Sequence, residues 1–182
     1  MKTLTIPNLL TLLRIIIIPF AVYNIYISNF YTALFLVFIA VITDGLDGFV
    51  ARRFDQVSQI GKVIDPLADK LLVICGLTAI AINENVDFSK ILFVLIMLRE
   101  IYIVSGGIYL LIKSKRFKIA PTIIGKLTAF SEFLMFILIL LNEVSDKVGF
   151  LVKISSICVI TMIIISIVQY SIIGLKYLKL TD

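Results

Sequence analysis

Apolar residues run through this chain in long unbroken stretches rather than in alternation. Six stretches stand out: Ile6–Ile27, Phe30–Phe49, Val63–Ile82, Phe88–Ile112, Ile123–Leu141 and Val148–Ile173. Each is close to the ~20 residues a helix needs to cross the ~30 Å hydrocarbon core of a bilayer. Strands of a membrane barrel would alternate apolar and polar positions, and these stretches do not. The pattern predicts an all-α integral membrane protein with six transmembrane helices, forming one domain over residues 1–182. No long repeat, low-complexity tract or inter-domain linker interrupts it. The first stretch lacks a small-residue cleavage site and leads into further spans, so a cleavable signal peptide is not expected.

Composition agrees with that class. Of 182 residues, 60% are hydrophobic and 16% charged, where a soluble domain carries roughly a quarter charged. Mean hydropathy is +1.11. The polar residues between the stretches are asymmetric. Lys2, Arg52, Arg53, Lys62, Lys113, Lys115, Arg116, Lys118, Lys176 and Lys179 collect on one side. The other side has the Ser28-Asn29 turn, then Glu84, Asp87 and Lys90, then Glu143, Asp146 and Lys147. The positive-inside rule puts both termini in the cytoplasm. The net charge of +5 is therefore a topology signal first, and a basic face for anionic lipids or phosphate-bearing substrates second. No basic groove with interleaved aromatics is present, so nucleic acid is not an expected partner.

Against this oily background four aspartates stand at fixed spacing. They fall in Asp44-Gly45-Leu46-Asp47-Gly48-Phe49-Val50-Ala51-Arg52 and, eight residues on, in Gly61-Lys62-Val63-Ile64-Asp65-Pro66-Leu67-Ala68-Asp69. A carboxylate at the centre of a membrane helix costs ~2.5–3.5 kcal/mol, so four unpaired ones would cost roughly 10–14 kcal/mol. That is comparable to the ~5–15 kcal/mol stability of a whole domain. Something cationic must offset it. On helices, Asp44, Asp47, Gly48 and Ala51 share one stripe with Arg52 at its edge, and Gly61, Asp65 and Asp69 form another. Two antiparallel helices joined by a short basic loop would gather three or four carboxylates into one cytoplasm-facing polar pocket between helices 2 and 3. Singly, Asp65-Pro66 would suit a plain helix start and Asp44-Gly45 a turn.

The chain has no histidine, which removes Ser-His-Asp, Cys-His and His-metal chemistry. Its two cysteines, Cys75 and Cys158, lie in apolar stretches and read as core residues. A general base must then be a carboxylate, lysine or tyrosine. A metal must be a hard cation held by oxygen: Mg2+ or Mn2+, as a pair of ions, with Ca2+ as an alternative. Small residues at Gly45, Gly48, Ala51 and Gly61 leave room for a nucleotide or a neighbouring helix. Arg52 can fork onto a phosphate.

The string D-G-x2-D-G-x2-A-R-x8-G-x3-D-x3-D matches at every fixed position the signature of the CDP-alcohol phosphotransferases, and the chain resembles that family over nearly its whole length. The resemblance implies transfer of a substituted phosphate from a CDP-linked donor to an alcohol, with release of CMP. It implies that Asp44, Asp47 and Asp65 hold divalent metals. Asp69 would be a ligand or neighbour and the general base, and Asn8, Gly48, Ala51, Arg52 and Gly61 would bind the CDP group. It also implies a homodimer, and a third helix that continues through Pro66.

The opening Ile6-Pro7-Asn8-Leu9-Leu10-Thr11-Leu12-Leu13-Arg14 and the run Asp65-Pro66-Leu67-Ala68-Asp69-Lys70 are similar to phosphatidylglycerophosphate synthases and the related cardiolipin synthases. The donor implied is CDP-diacylglycerol and the first acceptor glycerol 3-phosphate, with phosphatidylglycerol or another alcohol as the alternative. Arg99, beside Glu100, and Lys126, in Gly125-Lys126-Leu127-Thr128, would face the acceptor's phosphate. For Arg99 an ion pair within or between helices is the competing reading. For Lys126 it is a snorkelling interface residue. Thr128 stands where the glycerophosphate enzymes usually carry a second lysine. From another class, intramembrane acids also mark ion-coupled transporters. Those usually show internal repeats and midplane sites, whereas these acids cluster at one end of two adjacent helices.

Overall fold

The computed structural model describes residues 6–53, 61–113 and 122–179, with side chains described over 10–45, 67–113 and 122–178. Among the described residues six α-helices follow one another: α1 (Ile6–Tyr26), α2 (Phe30–Arg53), α3 (Gly61–Ile82), α4 (Lys90–Lys113), α5 (Ile123–Ser145) and α6 (Gly149–Lys179). No strand occurs among the described residues. Each helix coincides with one apolar stretch, but α2, α3, α5 and α6 run two or more residues beyond them. Hydropathy ends where charge begins, whereas a helix continues through good helix formers such as Ala51-Arg52-Arg53. Asp44 and Asp47 therefore stand deeper within α2 than the apolar pattern suggested, and α3 passes through Pro66.

Among the described residues three helices are long and apolar enough to cross a membrane: Lys90–Lys113, Ile123–Ser145 and Gly149–Leu178. The apolar helical stretches Leu10–Tyr26 and Phe30–Gly45 are shorter. Side chains are distributed as in a protein whose surroundings are hydrocarbon. Large apolar groups such as Tyr31, Phe35, Ile91, Ile112 and Phe150 point outward, while Arg14, Thr128 and Ser166 are among the most completely buried side chains. Water as solvent favours the reverse sorting.

The chain divides into two compact units. The first is Met1–Phe88 with Ile139–Asp146. In it α1 packs against both α2 and α3. The buried stripe of α1 is Thr11, Arg14, Ile18, Ala21 and Ile25, and that of α2 is Ala33, Val37, Ala40 and then Asp44 at its half-buried end. Alternate steps of three and four residues keep each stripe on one helix face. The alanines let backbones approach closely, which is what holds helices together where lipid removes the hydrophobic driving force. Away from the aspartates, the buried Asn83 amide ties the end of α3 to the α1–α2 turn. Its Nδ2 donates to the Ile25 carbonyl at 2.7 Å and to Ser28 Oγ at 3.0 Å. Ser28 takes φ 61° there, a conformation non-glycine residues seldom adopt.

The second unit is Ser89–Leu138 with Lys147–Asp182. Here α4 packs on α6. Ser89 Oγ accepts from Leu92 N at 3.4 Å and Thr122 Oγ1 from Gly125 N at 3.0 Å, so each hydroxyl caps the helix that follows. At Gly125 a Cβ would lie 2.7 Å from the Tyr170 hydroxyl. An alanine there would require the Tyr170 hydroxyl or its helix to shift.

Candidate functional site

In the first unit, carboxylates of α2 and α3 meet at a cation of α1. Arg14 sits on the buried stripe of that helix with 1% of its side chain exposed. Its guanidinium reaches both neighbouring helices: Nη2 pairs with Asp44 Oδ1 of α2 at 2.8 Å, and Nη1 donates to Asp69 Oδ1 of α3 at 2.7 Å. A guanidinium is a rigid planar fork. Two oxygens held on two of its nitrogens are no more than about 8 Å apart. The carboxylates of α2 and α3 that the spacing placed in one pocket thus meet through a third helix. Their side chains remain 47% and 54% exposed, so the pocket is closed on the arginine side and open on the aspartate side. Such a pair is worth more than the ~0–1 kcal/mol of a surface bridge and less than the ~3–5 kcal/mol lost when a fully buried pair is broken.

Arg14 lies outside the aspartate motif and closes the opening run Ile6 to Arg14. The signal was there: a lone cation at the interior spacing of an otherwise apolar helix, in a chain whose acids needed a counter-charge. It supplies part of that offset from within the protein. Among the described side chains of the pocket, this one guanidinium meets two carboxylates, Asp44 and Asp69.

The other predicted residues of this pocket are Asn8 on α1, Asp47, Gly48, Ala51 and Arg52 on α2, and Gly61 and Asp65 on α3. The helices run through them, but their side chains lie outside the described residues. Among the described residues no group of three or more metal-ligating side chains is assembled. The donors that are described suit a hard divalent cation. They are carboxylate oxygens on two helices, brought together and open on one side, with no thiolate or imidazole near. Gly45 is exposed and a Cβ there would meet nothing within 4 Å, so no described helix uses the space its missing side chain leaves. Further along the same α1–α3 seam lies an apolar groove of about 460 Å3, lined by Pro19, Val22, Tyr23, Cys75 and Ala79 among others.

The second unit holds a separate polar centre. Arg99 of α4 is 3% exposed and lies among Glu100, Glu132 of α5 and Ser166 of α6. Its Nη1 pairs with Glu100 and stands 3.9 Å from Glu132 Oε1. Nε and Nη2 donate to Ser166 Oγ at 3.3 and 3.1 Å. Of the two readings open for Arg99, this geometry supplies the partners of an ion pair. Lys126, one turn into α5, is exposed. Thr128 is fully buried, its hydroxyl donating to the Ile124 carbonyl at 2.8 Å.

Residues 4–173 match the family model described as CDP-alcohol phosphatidyltransferase. Over 175 residues the chain is 32% identical to a protein of Aquifex aeolicus named CDP-diacylglycerol–glycerol-3-phosphate 3-phosphatidyltransferase, covering 95% of this chain and 97% of that one. Proteins of the same name from Rickettsia felis and Haemophilus influenzae are also similar. The first is 40% identical over 104 residues, 56% of each chain. The second is 37% identical over 125 residues, 66% of this chain and 67% of the other.

Proposed function

The chain belongs to the CDP-alcohol phosphatidyltransferase family, and on that premise we propose that it transfers a phosphatidyl group from CDP-diacylglycerol to glycerol 3-phosphate, giving phosphatidylglycerophosphate and CMP. The observation that carries this reading is the complete aspartate string from Asp44 to Asp69, in a chain similar from end to end to a relative named for that reaction. The meeting of Asp44 and Asp69 at one guanidinium supports it.

The family is generally dependent on a divalent metal. In our reading Asp44, Asp47, Asp65 and Asp69 would hold Mg2+ or Mn2+, two ions in all, which when bound supply charge that neutralises the diphosphate. Asn8, Gly48, Ala51, Arg52 and Gly61 would receive the CDP group, with Arg52 forked onto a phosphate. The acceptor's hydroxyl oxygen forms a bond to the phosphorus that bears the diacylglycerol, and the bond from that phosphorus to CMP breaks. Asp69 takes the hydroxyl proton, and its 54% exposure leaves it within reach of an incoming substrate. Lys126, exposed at the start of α5, is the more accessible of the two cations read for the acceptor's phosphate. Arg99 would have to leave its carboxylates to serve there. The groove beyond Pro19 suits an acyl chain of the donor.

The chain is read as one domain in the membrane, with six spans, both termini and the active site on the cytoplasmic side, acting as a homodimer. Support for the topology is the lysine and arginine asymmetry of the connections. A lipid acceptor, phosphatidylglycerol, has one observation in its favour, the absence of a second lysine at Thr128. Yet Thr128 is fully buried, so a lysine there would have no outlet in the described packing. The test is mass spectrometry of the lipids formed when purified protein meets CDP-diacylglycerol with glycerol 3-phosphate and phosphatidylglycerol in competition. Phosphatidylglycerophosphate is expected; cardiolipin alone, or no new phospholipid formed with release of CMP, would refute the reading.

A further inference from the structure

Arg14 is held against Asp44 and Asp69. Its side chain is 1% exposed and α1 is packed against α2 and α3. The nitrogen–oxygen distances of 2.8 and 2.7 Å engage one oxygen of each carboxylate. A divalent ion such as Mg2+ demands oxygens at about 2.0–2.1 Å in near-octahedral array. To bind Asp44 and Asp69 it must share those carboxylates with a fixed positive charge that repels it. Without that charge, two carboxylates on adjacent helices would repel each other across the pocket.

From this geometry we propose that Arg14 is a resident counter-ion of the pocket. It holds Asp44 and Asp69 in place before metal arrives and competes with the metal for them, so it sets the concentration at which the pocket loads. The proposal rests on the reading of Asp44 and Asp69 as metal ligands. Arg14 is a positioning residue in this scheme: it acts through the two carboxylates rather than on the substrate.

The test is thermal unfolding and Mn2+ binding of the full chain in detergent, without donor, for wild type, Arg14→Met, Arg14→Lys and Asp44→Asn. Arg14→Met melts below wild type in EDTA. Because a ligand stabilises by an amount that grows as its dissociation constant falls, Mg2+ raises the melting temperature of this variant by at least about twice the wild-type increment. Mn2+ binding, followed by its paramagnetic signal, tightens on the order of tenfold as the nearby positive charge is removed. A residue that merely packs would lower the melting temperature equally with and without metal. Arg14→Lys keeps the charge as a single point that cannot bridge both oxygens, and its Mg2+ increment falls between the other two. It decides the matter should Arg14→Met fail to fold. Increments no larger than wild type in the Arg14 variants overturn the counter-ion role. If instead Asp44→Asn leaves the wild-type Mg2+ increment unchanged, the metal reading of the pocket is what fails.

Discussion

Arg99 separates two kinds of explanation for a charged residue inside this protein, and replacing it with methionine tells them apart. The guanidinium is 3% exposed and the Glu132 side chain 6%. Arg99 pairs with Glu100, lies 3.9 Å from Glu132, and donates twice to a Ser166 hydroxyl that is fully buried. Methionine fills much of the same volume but leaves the acids without that charge. Removing one partner of a buried ion pair costs about 3–5 kcal/mol, set against a total stability on the order of 5–15 kcal/mol. At about 2–4 °C per kcal/mol for a chain of this size, the melting temperature falls by roughly 6–20 °C. Thermal unfolding in detergent micelles, with and without saturating glycerol 3-phosphate, measures it. The double variant Arg99→Met with Glu132→Gln recovers a substantial part, because the excess charge goes with the arginine. An Arg99→Met protein melting within about 2 °C of wild type, with a KM for glycerol 3-phosphate raised tenfold or more, would falsify this reasoning. It would make Arg99 a substrate contact.

Three further outcomes are expected. Asp69→Asn loses about 10²–10⁴ in CMP release, the usual contribution of a general base, while CDP still binds by calorimetry; near-normal turnover would remove Asp69 as the base. EDTA silences the wild-type enzyme and Mg2+ or Mn2+ restores it, and CMP release that persists in EDTA would contradict the metal assignment. Gly125→Ala places a Cβ 2.7 Å from the Tyr170 hydroxyl and destabilises by about 1–3 kcal/mol, as overpacking does. Adding Tyr170→Phe relieves most of it, and a single variant as stable as wild type would show that α5 and α6 give way at no cost.

Much of the architecture was legible along the chain. Six apolar stretches became six helices because helix formation in lipid is a local matter: a run of apolar side chains with its backbone bonds closed internally needs no distant partner. The helix ends were misjudged where charge begins, since Ala51-Arg52-Arg53 is polar without being a helix breaker. The aspartate string was equally readable, because spacing along a helix is enough to say which residues share a face.

What the amino-acid order determined, then, was the helical class, the family and the identity of the acids, all of which depend on residues near one another in the chain. The tertiary structure decided which cation meets which carboxylate. Arg14 finds Asp44 and Asp69, thirty and fifty-five positions away, only because α1 packs against both α2 and α3. Arg99 finds Ser166 only because α4 lies along α6. Coulomb attraction falls with distance in space and is indifferent to distance in sequence, so pairing of this kind cannot be read until the helices are packed.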